Sequence, residues 1–440
     1  MGLLSPALQD KLLRGALGVA LALAAVSLGA DVRATARFPG VDLRARVVGA
    51  RVALLGLDPY HYRWRPSDPV ALCDAEDNPD LPISRLTSTP ALLALHLPCA
   101  RLPYRLQRWL WLGGQWALLL LAIALLAATA RTPRRRTAVW ILGLGLVAGG
   151  VAWRYHVERG QIYVLYAALG ALAYWLAQNP GGARQFLSGV VLGAAAVLRP
   201  PLAAVLVPAL VWGRWRMLAG AVVGALAAVG VSVALLGVPS WAHYASAMRL
   251  WDLRPGYINT EAAKPILARH QQAGDGYANL ARFQNFPYGS SAVLQWPVVG
   301  RRFTPGRLHG MLAVLLLVVG ALLWRYRKSR RSPADALLAG LVLAYLVDFL
   351  LPAPRPPYYD VLALAPLALV LLEGDRRLLL SPTNLLWLFA LVVPGVYAAL
   401  WLPRGGLLPD LLLAAYLGGL LVVAITRGLR EVSVVSAPSL

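Results

Sequence analysis

The sequence predicts an all-α integral membrane protein, a polytopic helical bundle of about 12 spans with two long extracytoplasmic loops. Three observations carry this expectation. Hydrophobic residues make up 58% of the 440 and charged residues only 14%, a balance that calls for lipid as solvent rather than water. The apolar residues fall in repeated runs that approach the roughly 20 needed to cross about 30 Å of hydrocarbon. The basic residues are distributed asymmetrically between the short segments joining those runs, as cytoplasmic and external loops require.

Taken in order, the runs predict spans near residues 13–30, 109–130, 138–153, 162–178, 186–198, 202–213, 218–238, 309–324, 333–351, 360–373, 380–401 and 411–426. The fifth and sixth are short and meet at Arg199-Pro200-Pro201, so a re-entrant hairpin is the alternative there; the parity of the count survives either way. With the N-terminus inside, the inside segments hold 18 Lys or Arg, counting Arg14 with the N-terminal segment. The short outside segments hold 5, namely Arg154, Arg159, Arg199, Arg355 and Arg404. Both termini are therefore expected in the cytoplasm of a plasma (inner) membrane, and the long segments 31–108 and 239–308 outside it. The whole chain, 1–440, reads as a single transmembrane domain.

The net charge of +22 is accounted for by this topology and by anionic lipid head groups, so nucleic acid is rejected as a partner. The first run ends in small residues and could pass for a secretory signal; its length favours retention as a span. Cys73 and Cys99, the two cysteines of the chain, share the first outside loop, where an oxidising compartment would permit a disulfide. No zinc, iron–sulfur or nucleotide-binding spacing occurs, so no metal and no cofactor is expected.

The outside loops carry structure of their own. Val47, Val48, Ala50, Leu54 and Leu55 recur at helical spacing among Arg44, Arg46 and Arg51, predicting an amphipathic helix on the membrane surface. It ends at Gly56-Leu57-Asp58-Pro59-Tyr60, where glycine and proline punctuate a turn. A second interfacial segment follows Thr87-Ser88-Thr89-Pro90. Arg154, Tyr155, His156, Glu158, Arg159 and Gln161 crowd the next outside turn, and Arg199 and Arg355-Pro356-Pro357-Tyr358-Tyr359-Asp360 mark later outside ends, with Asp348 just inside one. Ionisable groups at such positions are costly unless used or snorkelling. Converged in a bundle, they make an extracytoplasmic cavity suited to an anionic ligand bearing hydroxyls, such as a sugar phosphate.

In Val41-Asp42-Leu43-Arg44, Gly49-Ala50-Arg51, Gly56-Leu57-Asp58-Pro59-Tyr60, Glu158-Arg159-Gly160-Gln161 and Leu198-Arg199-Pro200-Pro201 the chain resembles membrane glycosyltransferases of the GT-C superfamily. The likeness is to glycosyltransferase family 87 and its polyprenyl-phosphate-mannose-dependent relatives, over about residues 10–375. The resemblance implies metal-independent transfer of a hexose, with mannose the sugar it suggests, from a polyprenyl-phosphate donor to the hydroxyl of a lipid- or glycan-linked acceptor. An outward-facing transferase has physical reason to use a lipid-carried donor, since nucleotide sugars are cytosolic.

Asp42 is the expected general base, with an interfacial ion pair to Arg44 or Arg46 as its structural alternative; Asp31 is the runner-up. Arg159, Arg199 and Arg44 are expected at the donor phosphate, against snorkelling toward lipid head groups. Gln161, His156, Glu158, Tyr358, Tyr359 and Arg355 are expected around the substrate, although His156 reads better as a hydrogen-bonded structural group and the tyrosines equally as interface anchors. Asp58 reads as capping its own turn. The aromatics of 239–308 could stack on sugar rings or simply bury one another. A transporter or flippase of a lipid-linked or anionic glycan is the competing function, but neither an internal repeat nor a midplane acid favours it. A noncatalytic anchor leaves the ionisable residues at the outside ends unexplained.

Overall fold

The computed structural model describes residues 5–37, 40–65, 67–74, 83–178, 181–251, 305–328, 332–351, 357–373 and 407–426. Among them the chain is helical, with no strand. The first half comprises α1 (Pro6–Arg37), α2 (Val41–Leu54), α3 (Pro90–Ala94), α4 (Tyr104–Ala128), α5 (Pro133–Ile141), α6 (Val151–Arg159) and α7 (Tyr163–Ala177). The second comprises α8 (Gly182–Leu198), α9 (Leu206–Val211), α10 (Trp215–Leu236), α11 (Pro239–Trp251), α12 (Pro305–Arg325), α13 (Pro333–Leu350), α14 (Leu364–Glu373) and α15 (Leu407–Thr426).

Four helical stretches are long and apolar enough to cross a membrane: Asp10–Arg37 of α1, α4, α10 and α13. A fifth exists if α6 and α7, bent by 118° at their junction, form one span. Apolar side chains stand exposed on several of them, among them Val26, Leu121 and Leu226. That pattern is costly in water and expected against lipid, so the chain is a membrane protein.

The other expected spans differ in their details. The span expected over 138–153 is instead broken, because α5 gives way to a wide π turn over Leu142–Ala148 that ends at Gly149-Gly150 before α6 begins. At 202–213 a 3-10 turn, Pro200–Val205, leads into the six residues of α9, since two successive prolines remove backbone donors. A second 3-10 turn, Pro357–Ala363, precedes α14. The run 380–401 lies outside the described residues.

The core gathers α4, α7, α13, α14 and α15 around Leu119, Ile123, Tyr174, Leu338, Leu343, Leu369 and Leu417, all nearly inaccessible. Helices α8 and α10 approach each other backbone to backbone. Gly189 and Gly193 on one, and Gly220 and Gly224 on the other, face the partner's backbone at Met217, Ala221, Phe186 and Val190 respectively, too near to admit a side chain. Thr89 caps α3 by accepting from the Leu92 N–H at 3.3 Å, and its hydroxyl donates to the Leu198 carbonyl at 3.2 Å. Thus α3 is tied to the end of α8.

Two expectations for the first loop need correction. The helix α2 exists but is no surface helix: Arg44 and Arg46 are as buried as Val47 and Ala50, and solvent meets mainly its C-terminal end, at Leu54 and Leu55. Cys73 and Cys99 are not joined. Cys73 is buried while Cys99 lies exposed in the 3-10 turn Leu97–Cys99, so the fold holds the first loop by other means. One of these is Arg44, which donates to the Cys73 carbonyl at 2.9 and 3.0 Å and to that of Val70 at 3.2 Å.

Candidate active site

The candidate site grows from the break between α6 and α7. Gly160 ends α6 with φ of +69°, where a Cβ would also lie 2.6 Å from that of Leu43. Only glycine fits both constraints. A broken helix must find new partners for its freed backbone groups, and the side chains of α2, α4 and α6 supply them. The Gly160 carbonyl accepts from the Arg46 guanidinium. The Gln161 carbonyl accepts from Trp111 Nε1 at 3.1 Å and from Gln115 Nε2 at 3.0 Å. The Val164 N–H, at the start of α7, donates to His156 Nε2 at 3.1 Å.

The last side chain of α6, Arg159, turns toward the first turn of α2. Its Nε and Nη2 donate to the two carboxylate oxygens of Asp42, the latter at 3.3 Å. This forked pair is the strong form of an arginine–carboxylate contact. Asp42 keeps a quarter of its side chain exposed while that of Arg159 is 7% exposed, so the carboxylate sits at the rim with the guanidinium behind it. A second pair lies across the site, where Arg199, beyond the last turn of α8, donates to Asp348 Oδ1 from α13.

An aromatic wall joins the two pairs. The Arg159 guanidinium stands 5.9 Å from the Tyr358 ring, and that of Arg199 stands 4.8 Å from Tyr163 and 5.0 Å from Tyr359. The three tyrosines pack together, with Tyr163 centred 4.3 Å from Tyr359 and 5.5 Å from Tyr358. Guanidinium groups over aromatic faces are stabilised without surrendering their outward N–H donors. Five residues from three separate stretches of the chain therefore come together as two guanidinium groups on an aromatic wall, each paired with a carboxylate.

The structure brings Asp42, Arg159, Arg199, Tyr358 and Tyr359 together, and pairs Asp42 with Arg159 and not with Arg44 or Arg46. Arg44, 1% exposed, is occupied with the carbonyls of residues 70 and 73 and covers the Tyr104 ring at 4.8 Å. Asp31 is elsewhere, buried on α1, where its Oδ2 accepts from Trp116 at 3.0 Å and Trp153 at 2.9 Å. His156 is buried against Trp153 with rings 5.4 Å apart and serves the α7 backbone, the structural reading of that residue. Glu158 is buried in the last turn of α6, and Gln161 contributes its carbonyl to the break. Asp58 caps its own turn, accepting from the Tyr60 N–H at 2.9 Å. Arg355 and most of 239–308 lie outside the described residues.

Sequence reasoning missed Tyr163, which stands at the centre of the wall, and the positioning contributions of Arg46, Trp111 and Gln115. Tyr163 opens an apolar run and reads there as an ordinary interface aromatic; the polar residues just before it were the available signal. Among the described residues no group of histidine, cysteine and carboxylate side chains could hold a metal ion.

In comparisons with known proteins, the model of glycosyltransferase family 87 matches residues 87–354, more than half of the chain. The matched region contains Arg159, Tyr163, Arg199 and Asp348, and Asp42 precedes it. No curated protein and no solved structure matches.

Proposed function

The chain belongs to glycosyltransferase family 87 and is a glycosyltransferase, and we propose that it moves a hexose from a polyprenyl-phosphate donor to an acceptor hydroxyl outside the membrane. The observation that carries the reading is the pair of guanidinium groups, Arg159 and Arg199, set on one tyrosine wall beside a carboxylate a quarter of whose side chain is exposed. Mannose is the sugar favoured by the family likeness, and the acceptor is lipid- or glycan-linked. The long segments 31–108 and 239–308 face outward from a multi-pass plasma membrane protein whose termini are cytoplasmic.

In this reading the donor phosphate docks between Arg159 and Arg199, whose permanent charge and forked donors suit its oxygens. Competition from the phosphate draws Arg159 away from Asp42 and leaves the carboxylate free. The acceptor oxygen then attacks the anomeric carbon as the bond from that carbon to the phosphate oxygen breaks. The acceptor proton passes to Asp42, and the bonding electrons leave with the phosphate, where the two guanidinium groups hold the added charge. Attack opposite the leaving group inverts the anomeric configuration and needs a single carboxylate.

Asp42→Asn preserves shape and removes the base. Transfer of labelled sugar by the purified variant is expected to fall by about two to four orders of magnitude, with donor binding retained. Asp31→Asn, altering a carboxylate held by two indoles, should keep most activity. Near-normal turnover in Asp42→Asn with loss in Asp31→Asn would move the role to Asp31, and near-normal turnover in both would overturn the mechanism.

A further inference from the structure

We propose that Arg46, His96 and Gln115 read the hydroxyls of the donor hexose and so set which sugar is transferred, an assignment that rests on the glycosyl-transfer reading above. These three residues, on α2, in the segment after α3 and on α4, are each at most 5% exposed. They meet at the Gly160–Gln161 turn. Arg46 donates to the Gly160 carbonyl, Gln115 donates to that of Gln161, and the His96 ring lies 5.1 Å from Trp111, which donates to the same Gln161 carbonyl. The Arg46 guanidinium also lies over the Trp111 ring, 5.6 Å from its centre.

Each of the three keeps a buried polar atom with no hydrogen-bond partner among the described residues: Arg46 Nε, His96 Nε2 and Gln115 Oε1. His156 Nδ1, beside the same turn, makes a fourth. An orphaned buried donor or acceptor costs about 1–3 kcal/mol, so four around one turn call for a polar partner beyond the backbone bonds that three of these residues already make. Their chemistry narrows the ligand. Arg46 Nε can only donate. Gln115 Oε1 can only accept, since Nε2 is identified by the carbonyl it serves. His156 Nδ1 carries the ring proton, because Nε2 accepts from Val164. Burial, with the Arg46 charge beside it, pushes the His96 pKa down to about 3, so this ring is neutral and offers Nε2 as either donor or acceptor.

A phosphate, which only accepts, would be repelled by Gln115 Oε1, and a prenyl chain would satisfy none of the four atoms. Hydroxyl groups, which donate and accept at once, match the mixed set. The place also fits. Arg159 precedes the turn and Tyr163 follows it, so a sugar seated here has its anomeric phosphate toward the Arg159–Arg199 clamp. Arg46, one helical turn beyond Asp42, lies on the same face of α2 as that carboxylate.

The test uses the full-length purified protein, synthetic polyprenyl phosphates carrying mannose, its single-centre epimers and the corresponding deoxy sugars, and the variants Gln115→Leu and His96→Phe. The readout is the ratio of kcat/KM between donors. A partly unfolded preparation lowers both values alike and leaves the ratio in place. Each variant is expected to shrink the preference for the best donor over at least one epimer or deoxy analogue by about tenfold or more. Unchanged donor ratios in both variants, with wild type active, would overturn the assignment alone, as would a change confined to acceptor preference. Failure of wild type to use any polyprenyl-phosphate donor would overturn the parent reading and this assignment with it.

Discussion

Individual side chains define this site through partners that are far away in sequence. Asp42 and Arg159 are 117 positions apart, and Arg199 and Asp348 are 149 apart. Charged and aromatic residues beside the ends of apolar runs were legible as a group, because lipid tolerates them poorly without a use. Which carboxylate answers which guanidinium was not legible, since composition and periodicity carry no long-range pairing. The same limit explains Asp31, whose position resembles that of Asp42 along the chain but whose oxygen is held by two tryptophans from α4 and α6. Gly160 gives a residue-scale prediction. Alanine there must adopt a left-handed conformation, which costs about 1–2 kcal/mol, and its methyl would press on Leu43. Thermal unfolding in detergent should show Gly160→Ala destabilised by at least that amount, with transfer reduced because Arg159 and Gln161 flank the displaced backbone. A variant as stable and active as wild type would show that the break does not depend on this geometry.

Helices and their breaks set where those residues stand. The apolar runs located α1, α4, α7, α8, α10 and α13 well, as lipid-length hydrophobicity is a strong signal. They failed where a run is interrupted from within: the wide turn 142–148 and the 3-10 turn 200–205 have apolar sequences like their neighbours. The buried helix α2 was misread for a related reason, because arginines at helical spacing look like a wet face until carbonyls and aromatic rings are found covering them. The α8–α10 contact is where an element-scale prediction belongs. Its four glycines place backbone on backbone, and α8 delivers Arg199 to the site from its C-terminal end. Gly193→Leu should therefore cost about 2–3 kcal/mol, the upper part of the range for overpacking, and should weaken donor binding by displacing Arg199. Stability measured by thermal unfolding, together with donor affinity, checks both; wild-type values for both would mean that the two helices do not need this approach.

For the molecule as a whole, function depends on which side of the membrane the Asp42–Arg159 and Arg199–Asp348 pairs face. Counted over the twelve spans the sequence predicts, 18 basic residues fall on one side against 5 in short segments on the other, and the richer side is the expected cytoplasmic one, because short cytoplasmic loops accumulate Lys and Arg. A reporter fused near residue 270 should consequently signal from the external side, and a cytoplasmic signal would put the site on the wrong face for a lipid-carried donor. Family membership establishes the class of reaction, while the guanidinium groups on the tyrosine wall favour a phosphate as the group that leaves. The most direct measurement is incubation of the purified protein with acceptor-bearing membrane extract and labelled hexose presented either on a polyprenyl phosphate or on a nucleotide, with a chelator present. Label should move to the acceptor from the polyprenyl phosphate and not from the nucleotide; transfer from the nucleotide sugar, or none from any lipid-phosphate donor, would contradict the account.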